Sequence, residues 1–333
     1  MANGEPAASD VQVRIDDRAR LVGALLAATR YPELAQARKK HGVHAHARAT
    51  RKRLAPLGDH PAAQAADALL TQGMSVEALF ALAFTLNPVT LRPAVPLAGL
   101  PPALADGLPD FAQQADLAAW WQEESEPWQR AHDESVRALN DAQVGPFLDG
   151  FFGPTAARLL FMPNIGYPED AEIALAAEGA LIAVIPPRPA WGDSPPWPFD
   201  EDQAHVLRAA IVAYSRLRLT DALLAHPDSI SEAAAGPLPV SETFRALYPA
   251  WTDQFAQIFG GALVAIYLDE WVHPKEASAY LLIEKHVRGL DILPAAVNIL
   301  QSYRGQKGAG SSRGLAAFLP RFPALLRDAA PTH

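Results

Sequence analysis

The chain has 333 residues, enough for two ordinary domains or one large one. Half of them are hydrophobic, which excludes disorder over the whole chain, and 37 acidic against 28 basic residues argue against a general nucleic-acid or anionic-membrane binder. Without any cysteine, disulfides, zinc ribbons, iron–sulfur clusters and thiol nucleophiles are excluded as well.

The opening MANGEPAASDVQV has no basic segment followed by an apolar core, so no secretory leader is expected. Asp16 and Asp17 stand where a helix start favours acidic groups, and Leu21, Leu25 and Leu26 follow at helical spacing. A second helix is expected around Pro32. RKKHGVHAHARATRKR, from Arg38 to Arg53, then carries seven Lys/Arg and no acid. Asp59-His60-Pro61 reads as a helix start, with proline in the first turn. Gly73 stops that helix, and Ser75 caps SVEALFALAFTL.

Residues 88–110 lack periodicity and read as a connector. From Phe111 to Ala138 the pattern is helical, and Pro127 kinks or splits it. ARLLFM and ALIAVI are short apolar runs punctuated by proline and glycine, so both read as strands. Residues 186–198 form a proline-rich loop. Asp200 with Gln203 begins a long helix through Leu224. Everything after Ser241 reads as helix, broken only at 305–314. The longest uncharged apolar run, Ile258 to Leu268, is about half the ~20 residues of a spanning helix. The expectation is an α+β, predominantly helical chain with a small β-sheet in the middle, resident in the cytoplasm and without a membrane partner.

Several sites are absent from the sequence. Gly192-Asp193-Ser194 runs into two prolines and makes no nucleophile elbow, and the glycines at 308, 310 and 314 have the wrong spacing for a dinucleotide loop. The acids Glu123, Glu124 and Glu126 read as a solvated helix face. His41, His44 and His46 have a spacing that can ligate a metal, but Gly42 weakens the helix that would orient them and seven cations oppose a dication. The basic stretch therefore reads as a solvated face, and neutralising Arg51, Lys52 and Arg53 should leave stability nearly unchanged. Nucleic-acid binding through residues 38–53 is an alternative, and an unlikely one, because the stretch lacks interleaved aromatics.

The region 157–269 is the informative one: two strands, a proline loop, a long helix and a second long helix. RIDDRARLVGALLAATRYPEL, DHPAAQAADALLTQGMSVEALFALAFTLN, FLDGFFGP, SRLRLTDALLAHPD and YPAWTDQFAQIFGGAL occur in order across most of residues 13–270. In these stretches the chain resembles a family of uncharacterised bacterial proteins with gluzincin-like metallopeptidase domains. The resemblance implies a zincin-like fold in which one helix carries H-E-x-x-H and a second supplies a glutamate to zinc. It also implies that the centre is degenerate here. Val212 and Arg216 fall at the two histidine positions, Ala213 at the glutamate base, and Gln257 at the second-helix ligand. Valine and alanine cannot ligate, arginine repels a dication, and neutral glutamine is a poor substitute for a carboxylate.

On a helical wheel His205, Arg208, Val212 and Arg216 share an arc of about 80°, while Leu207, Ile211, Tyr214 and Leu217 line another side. A cleft holding His205, Arg208 and Tyr214 would suit an anionic small molecule or protein. Gly260-Gly261 would allow close helix approach behind it. The expected organisation is an N-terminal helical region at 1–110, a degenerate zincin-like core at 111–270 and a C-terminal helical region at 271–333. The functional expectation is a catalytically inactive binding or structural module with no metal and no cofactor. The alternative is an active metal-dependent hydrolase drawing on His205, His226 or His273 with Asp269 or Glu270.

Overall fold

Four short strands form one sheet in the order β1–β2–β4–β3, where β1 is Val11–Val13, β2 Arg158–Pro163, β3 Ile173–Ala177 and β4 Ala180–Ile185. The structure is a computed structural model that describes residues 10–37, 42–93, 101–189, 194–227, 231, 233–234, 236–308 and 314–330. β1 and β2 are parallel, with Val11 opposite Leu159, and β2 and β4 are parallel, with Leu160 opposite Ile182. β3 runs antiparallel to β4. Parallel neighbours require crossover connections that cover the sheet faces, so β2 and β4 are continuous apolar runs rather than alternating ones. The two strands expected from sequence are present, the first shifted by one residue. The sequence gives no warning of β1, which is three residues long, or of β3. The β3–β4 turn is Glu178-Gly179 with φ of +53° and +69°, the pair of left-handed residues that a type I′ hairpin turn needs.

The chain forms two units, Met1–Asp141 with Ala157–Val206, and Ala142–Ala156 with Leu207–His333. The division at 110 and 270 rests on sequence composition and stays an expectation. In the first unit, helices α1 (Asp17–Ala28), α2 (Tyr31–Gln36), α3 (Ala45–Leu54), α4 (Pro61–Thr71) and α5 (Val76–Ala83) precede the sheet strands β2 to β4. Asp16, His60 and Ser75 cap α1, α4 and α5, the last as the sequence suggests and the first two within the expected helix starts, each accepting from a backbone N–H of the first turn. Leu21, Leu25 and Leu26 of α1 join Leu160, Met162, Ile182 and Val184 of the sheet in one core. Each such fully buried side chain contributes roughly 1.5–3 kcal/mol.

The helices α6 (Pro102–Ala105), α7 (Leu108–Gln114), α8 (Leu117–Glu123) and α9 (Ser125–Ala138) correct two expectations. The connector turns helical at its end; residues 94–100 lie outside the described ones. The helical stretch at 111–138, expected to kink or split at Pro127, falls into three helices, separated at Asp116, which adopts φ +48°, and at Glu124. Pro127 does not make the break; it sits in the first turn of α9, where its missing N–H has no helical partner to lose.

The second unit holds α10 (Val144–Phe152), most of α11 (Gln203–Leu224), α12 (Glu242–Leu247), α13 (Trp251–Tyr267), α14 (Pro274–Arg288), α15 (Leu293–Gly308), α16 (Leu315–Phe318) and α17 (Phe322–Ala329). Its core is aromatic: Phe255 and Phe259 of α13 stack at 6.1 Å, and Phe322 packs edge-on against both. Asp202, not Asp200, caps α11, accepting from His205 N at 3.0 Å, while Asp200 pairs with Arg137. The expected break at 305–314 begins later, because α15 runs to Gly308; residues 309–313 lie outside the described ones. Helix α13 and the π-turn after it, Trp251–Val272, are long and apolar enough to cross a membrane, yet 67% of that apolar window is buried inside the fold, as in a core helix.

Candidate functional site

Helix α11 divides much as its helical wheel requires. Leu207, Ile211 and Tyr214 are buried, whereas His205, Arg208, Val212 and Arg216 are half-buried, and Ala213 is buried beside them. Gln257 is half-buried on α13. The two helices come close where α13 has no side chain: a Cβ on Gly260 would lie 3.3 Å from Ser215 Oγ of α11. On Gly261 it would lie 3.2 Å from Leu293 and Tyr280. The glycine pair thus lets α13 approach its neighbours, at a cost of ~1 kcal/mol of helix propensity each.

Arg218, two residues after Arg216 and on the side of the wheel that carries Leu207 and Ile211, is the buried cation of α11. It donates to Asp149 Oδ1 at 2.7 Å and to the Gly153 carbonyl, over the ring of Phe152. The residues of the alternative hydrolase are engaged elsewhere or dispersed. Glu270 receives both terminal nitrogens of Arg304, and His273 caps α14 by accepting from Lys275 N at 3.1 Å. His226 is exposed, and His205 Nε2 lies 3.5 Å from the Pro186 carbonyl. Among the described residues no three His, Asp or Glu side chains gather as a metal site. A zinc ion does not fit the residues present at the α11–α13 pair.

The basic stretch folds into α3, and much of its charge is answered from within the unit. His44 is buried and caps α3, accepting from Ala47 N at 3.2 Å. Arg51 donates to the Ala27 carbonyl at 2.5 Å and to Glu33 Oε1. Arg53 lies 3.8 Å from Glu123 and over the Trp120 ring. Lys52 and Arg53 are exposed, as the solvated-face reading expects, and that reading is corrected for Arg51, which is half-buried. His41 lies outside the described residues.

The most unusual chemistry of the first unit centres on Arg20, a charged residue on the buried helix α1. Its side chain is 9% exposed. Nη1 donates to Asp17 Oδ1 at 3.1 Å, and the guanidinium lies 4.6 Å and 4.7 Å from the ring centres of Trp121 and Trp128. Nε and Nη2 are buried and have no hydrogen-bond partner. Burial depresses the Arg20 pKa against the opposing charges of Asp17 and Glu124. The guanidinium nonetheless stays protonated at neutral pH.

Two further titratable groups share the enclosure. His46 Nε2 is 3.7 Å from Glu124 Oε2, and its ring meets Trp128 edge-on. Burial, then the charge of Arg20, pulls the His46 pKa down to about 4, so at pH 7 the pair is a neutral imidazole beside a carboxyl. Burial raises the Glu124 pKa, opposed by the indoles of Trp120 and Trp128 and the cations Arg20 and Arg53. Glu124 is therefore no part of a solvated acidic face, although Glu123 and Glu126 are exposed as expected.

A cavity of about 660 Å³ borders Arg20 and Trp121 and is walled by Asp17, Val89, Leu91, Asp116 and Leu117 among others. That volume is ordinary for a small-molecule site. Leu91 and Asp116 both adopt left-handed backbone, at φ +53° and +48°, and left-handed leucine is strained. A second, much smaller cavity of about 10 Å³ lies among Arg20, His46, Trp121, Glu124, Asn164 and Gly166. Comparison with family models, with curated proteins and with solved structures gives no match. The chemistry of the site thus rests on its own residues.

Proposed function

We propose that this chain is a metallopeptidase-like protein without a metal centre, acting as a non-catalytic binding module. The observation that carries the reading is the chemistry of the helix pair: Val212, Ala213, Arg216 and Gln257 stand where the resemblance requires two histidines, a general base and a glutamate ligand. None of the four can perform its assigned role. Supporting it, the chain order is a mixed sheet with one antiparallel edge strand, then long α11, then long α13, and Gly260 brings the two helices together at Ser215.

Protein purified without a histidine tag or chelator should carry far less than one zinc per chain by elemental analysis, and should not cleave casein. Stoichiometric zinc surviving dialysis overturns the reading. The register is tested by restoring the ligands through Val212→His, Ala213→Glu, Arg216→His and Gln257→Glu. Positions 212 and 216 lie one turn apart on one face, as two imidazoles need. The variant should bind zinc in calorimetry with roughly micromolar affinity, since the groups that orient ligating histidines are missing and their loss costs 10–100-fold. A folded variant that binds zinc no better than the parent removes the metallopeptidase-like assignment.

A further inference from the structure

We propose that helix α14 is a self-association face, pairing antiparallel with α14 of a second copy of this chain about a two-fold axis. The inference concerns the second unit alone and does not depend on the metallopeptidase-like reading. α14 turns Ala277, Tyr280 and Glu284 toward its own unit; all three are buried and fall within about 60° of one another on a helical wheel. Its outward side is not the polar one that a solvent-facing helix presents. Leu282, Ile283 and Val287 are 56%, 55% and 68% exposed, three of the ten large hydrophobic side chains left exposed among the described residues. Concentrated on one helix, they make a patch of the kind that marks an interface.

The pattern on that side identifies the occupant. Two identical helices paired antiparallel about a two-fold axis bring together residues equidistant from the axis. With the axis at Leu281, Ala279 meets Ile283, Glu276 meets His286 and Lys275 meets Val287, and each contact occurs twice. All six of these side chains are exposed and share an arc of about 120° on the wheel. Each pair is complementary. Ala279 leaves a notch that the branched Ile283 of the second copy fills, as ridges fill grooves in packed helices. The Glu276 carboxylate meets an imidazole in the basic last turn, which also carries Lys285 and Arg288. The alkyl stem of Lys275 covers Val287. A parallel pairing sets Glu276 against Glu276 and joins the two basic ends, so charge selects the antiparallel one. A lipid surface is a poorer occupant, because Glu276 lies between Ile283 and Val287 on the wheel and would be carried toward hydrocarbon.

The test follows the mass of the full chain by sedimentation velocity over a concentration series. A contact one helix wide is at the small end of protein interfaces, so the dimer should be reversible, with a Kd of roughly 1–100 μM. Ile283→Glu, and Ala279→Trp, which fills the notch, should each weaken it at least about tenfold without lowering the melting temperature, since both positions are exposed. If one of the two does not fold, the other decides. Glu276→Lys should weaken the dimer, and adding His286→Glu to it should restore the affinity. Because the chain has no cysteine, Leu282→Cys places a single thiol near the axis, and a short bis-maleimide should couple it into dimers. Lys52→Cys on exposed α3 should not couple. The proposal fails if the chain stays monomeric at about 100 μM, if folded Ile283→Glu or Ala279→Trp dimerises as the parent does, if Glu276→Lys strengthens the dimer, or if Leu282→Cys couples no better than Lys52→Cys. A monomeric chain that binds phosphatidylglycerol vesicles, and loses that binding on Ile283→Glu, overturns it in favour of a membrane.

Discussion

The surroundings of Arg18 and Arg20 make a controlled comparison, because both arginines belong to α1, both are largely buried, and only their partners differ. Arg18 is fully committed. Its Nε–Nη2 edge holds Asp16, Nη1 reaches Glu178 at 2.5 Å, and the carbonyls of Phe84 and Leu86 lie at 3.5 and 3.4 Å. Burial opposes its charge, but the bonds to Asp16 and Glu178 outweigh it and raise the pKa. The same bonds overcome burial at Asp16, whose pKa is lowered. Arg18 thereby ties the start of α1 to the β3–β4 turn. Arg20 has one exposed carboxylate and two indole faces, and burial depresses its pKa. Burial of a cation is thus no measure of its role; what matters is whether each donor has an acceptor inside the fold.

Arg18→Met should show the largest effect. It leaves Asp16, 3% exposed at its side chain, with Arg14 as its remaining ionic partner. Removing one member of a buried pair costs about 3–5 kcal/mol, and Arg14 places the expected loss at the lower end. Urea denaturation measures it; a loss under about 1 kcal/mol would mean that Arg18 is no more structural than Arg20.

The acid response of the Arg20 enclosure comes next. Folding lowers the His46 pKa from 6.5 to about 4, so the unfolded chain takes up the proton first as the pH falls. Stability from this group is complete above pH 6.5 and is lost progressively down to pH 4, by about 3 kcal/mol. Glu124, with its raised pKa, acts in the opposite sense, stabilising at low pH, and makes the net fall smaller. His46→Gln should flatten the decline in denaturation midpoints between those pH values. Parallel curves for parent and variant would remove His46 as its source.

Arg20→Met sharpens the contrast directly. Replacing a buried, incompletely bonded cation by an apolar side chain of similar length should be neutral, or stabilise by about 1–2 kcal/mol. A loss as large as that of Arg18→Met would show that the two sites are energetically alike. The smallest effects belong to α3: Arg51→Ala should cost about 1 kcal/mol, since it donates to the Ala27 carbonyl and Glu33, whereas exposed Lys52→Ala should stay within ±0.5 kcal/mol. Equal melting temperatures for the two would restore the solvated-face reading of the whole stretch.

What the sequence made legible depended on local signals. β4 and the C-terminal end of α11 match their expected bounds because proline and glycine punctuate them within a few residues, whereas the acidic start of α11 is misplaced from Asp202 to Asp200. β1 is too short for any period to register. β3 was hidden because its turn, Glu178-Gly179, places a glutamate at positive φ, and that conformation is held by Arg18, 160 residues earlier in the chain. Asp116 is similar: nothing local marks an aspartate that will end a helix in left-handed backbone. The candidate site at Val212, Ala213, Arg216 and Gln257 was read through a resemblance, and its helix faces through periodicity. The Arg20 enclosure escaped both, because Trp121, Glu124 and Trp128 reach it from a distant segment. One usable signal was present: two arginines, RAR, opening a helix that is otherwise almost wholly apolar.

The pairing of Val11 with Leu159 also governs how the chain is made. During synthesis β1 leaves the ribosome with no strand beside it, and α1 through α10 follow before β2 exists. Non-local pairing of this kind slows folding, because a long loop must close before its contacts form. The apolar face of α1 that packs on Leu160 and Met162 stays uncovered for that whole interval. Newly made chains should therefore depend on chaperones until β2 has emerged, and premature termination before Arg158 should leave an aggregation-prone fragment instead of a small folded domain.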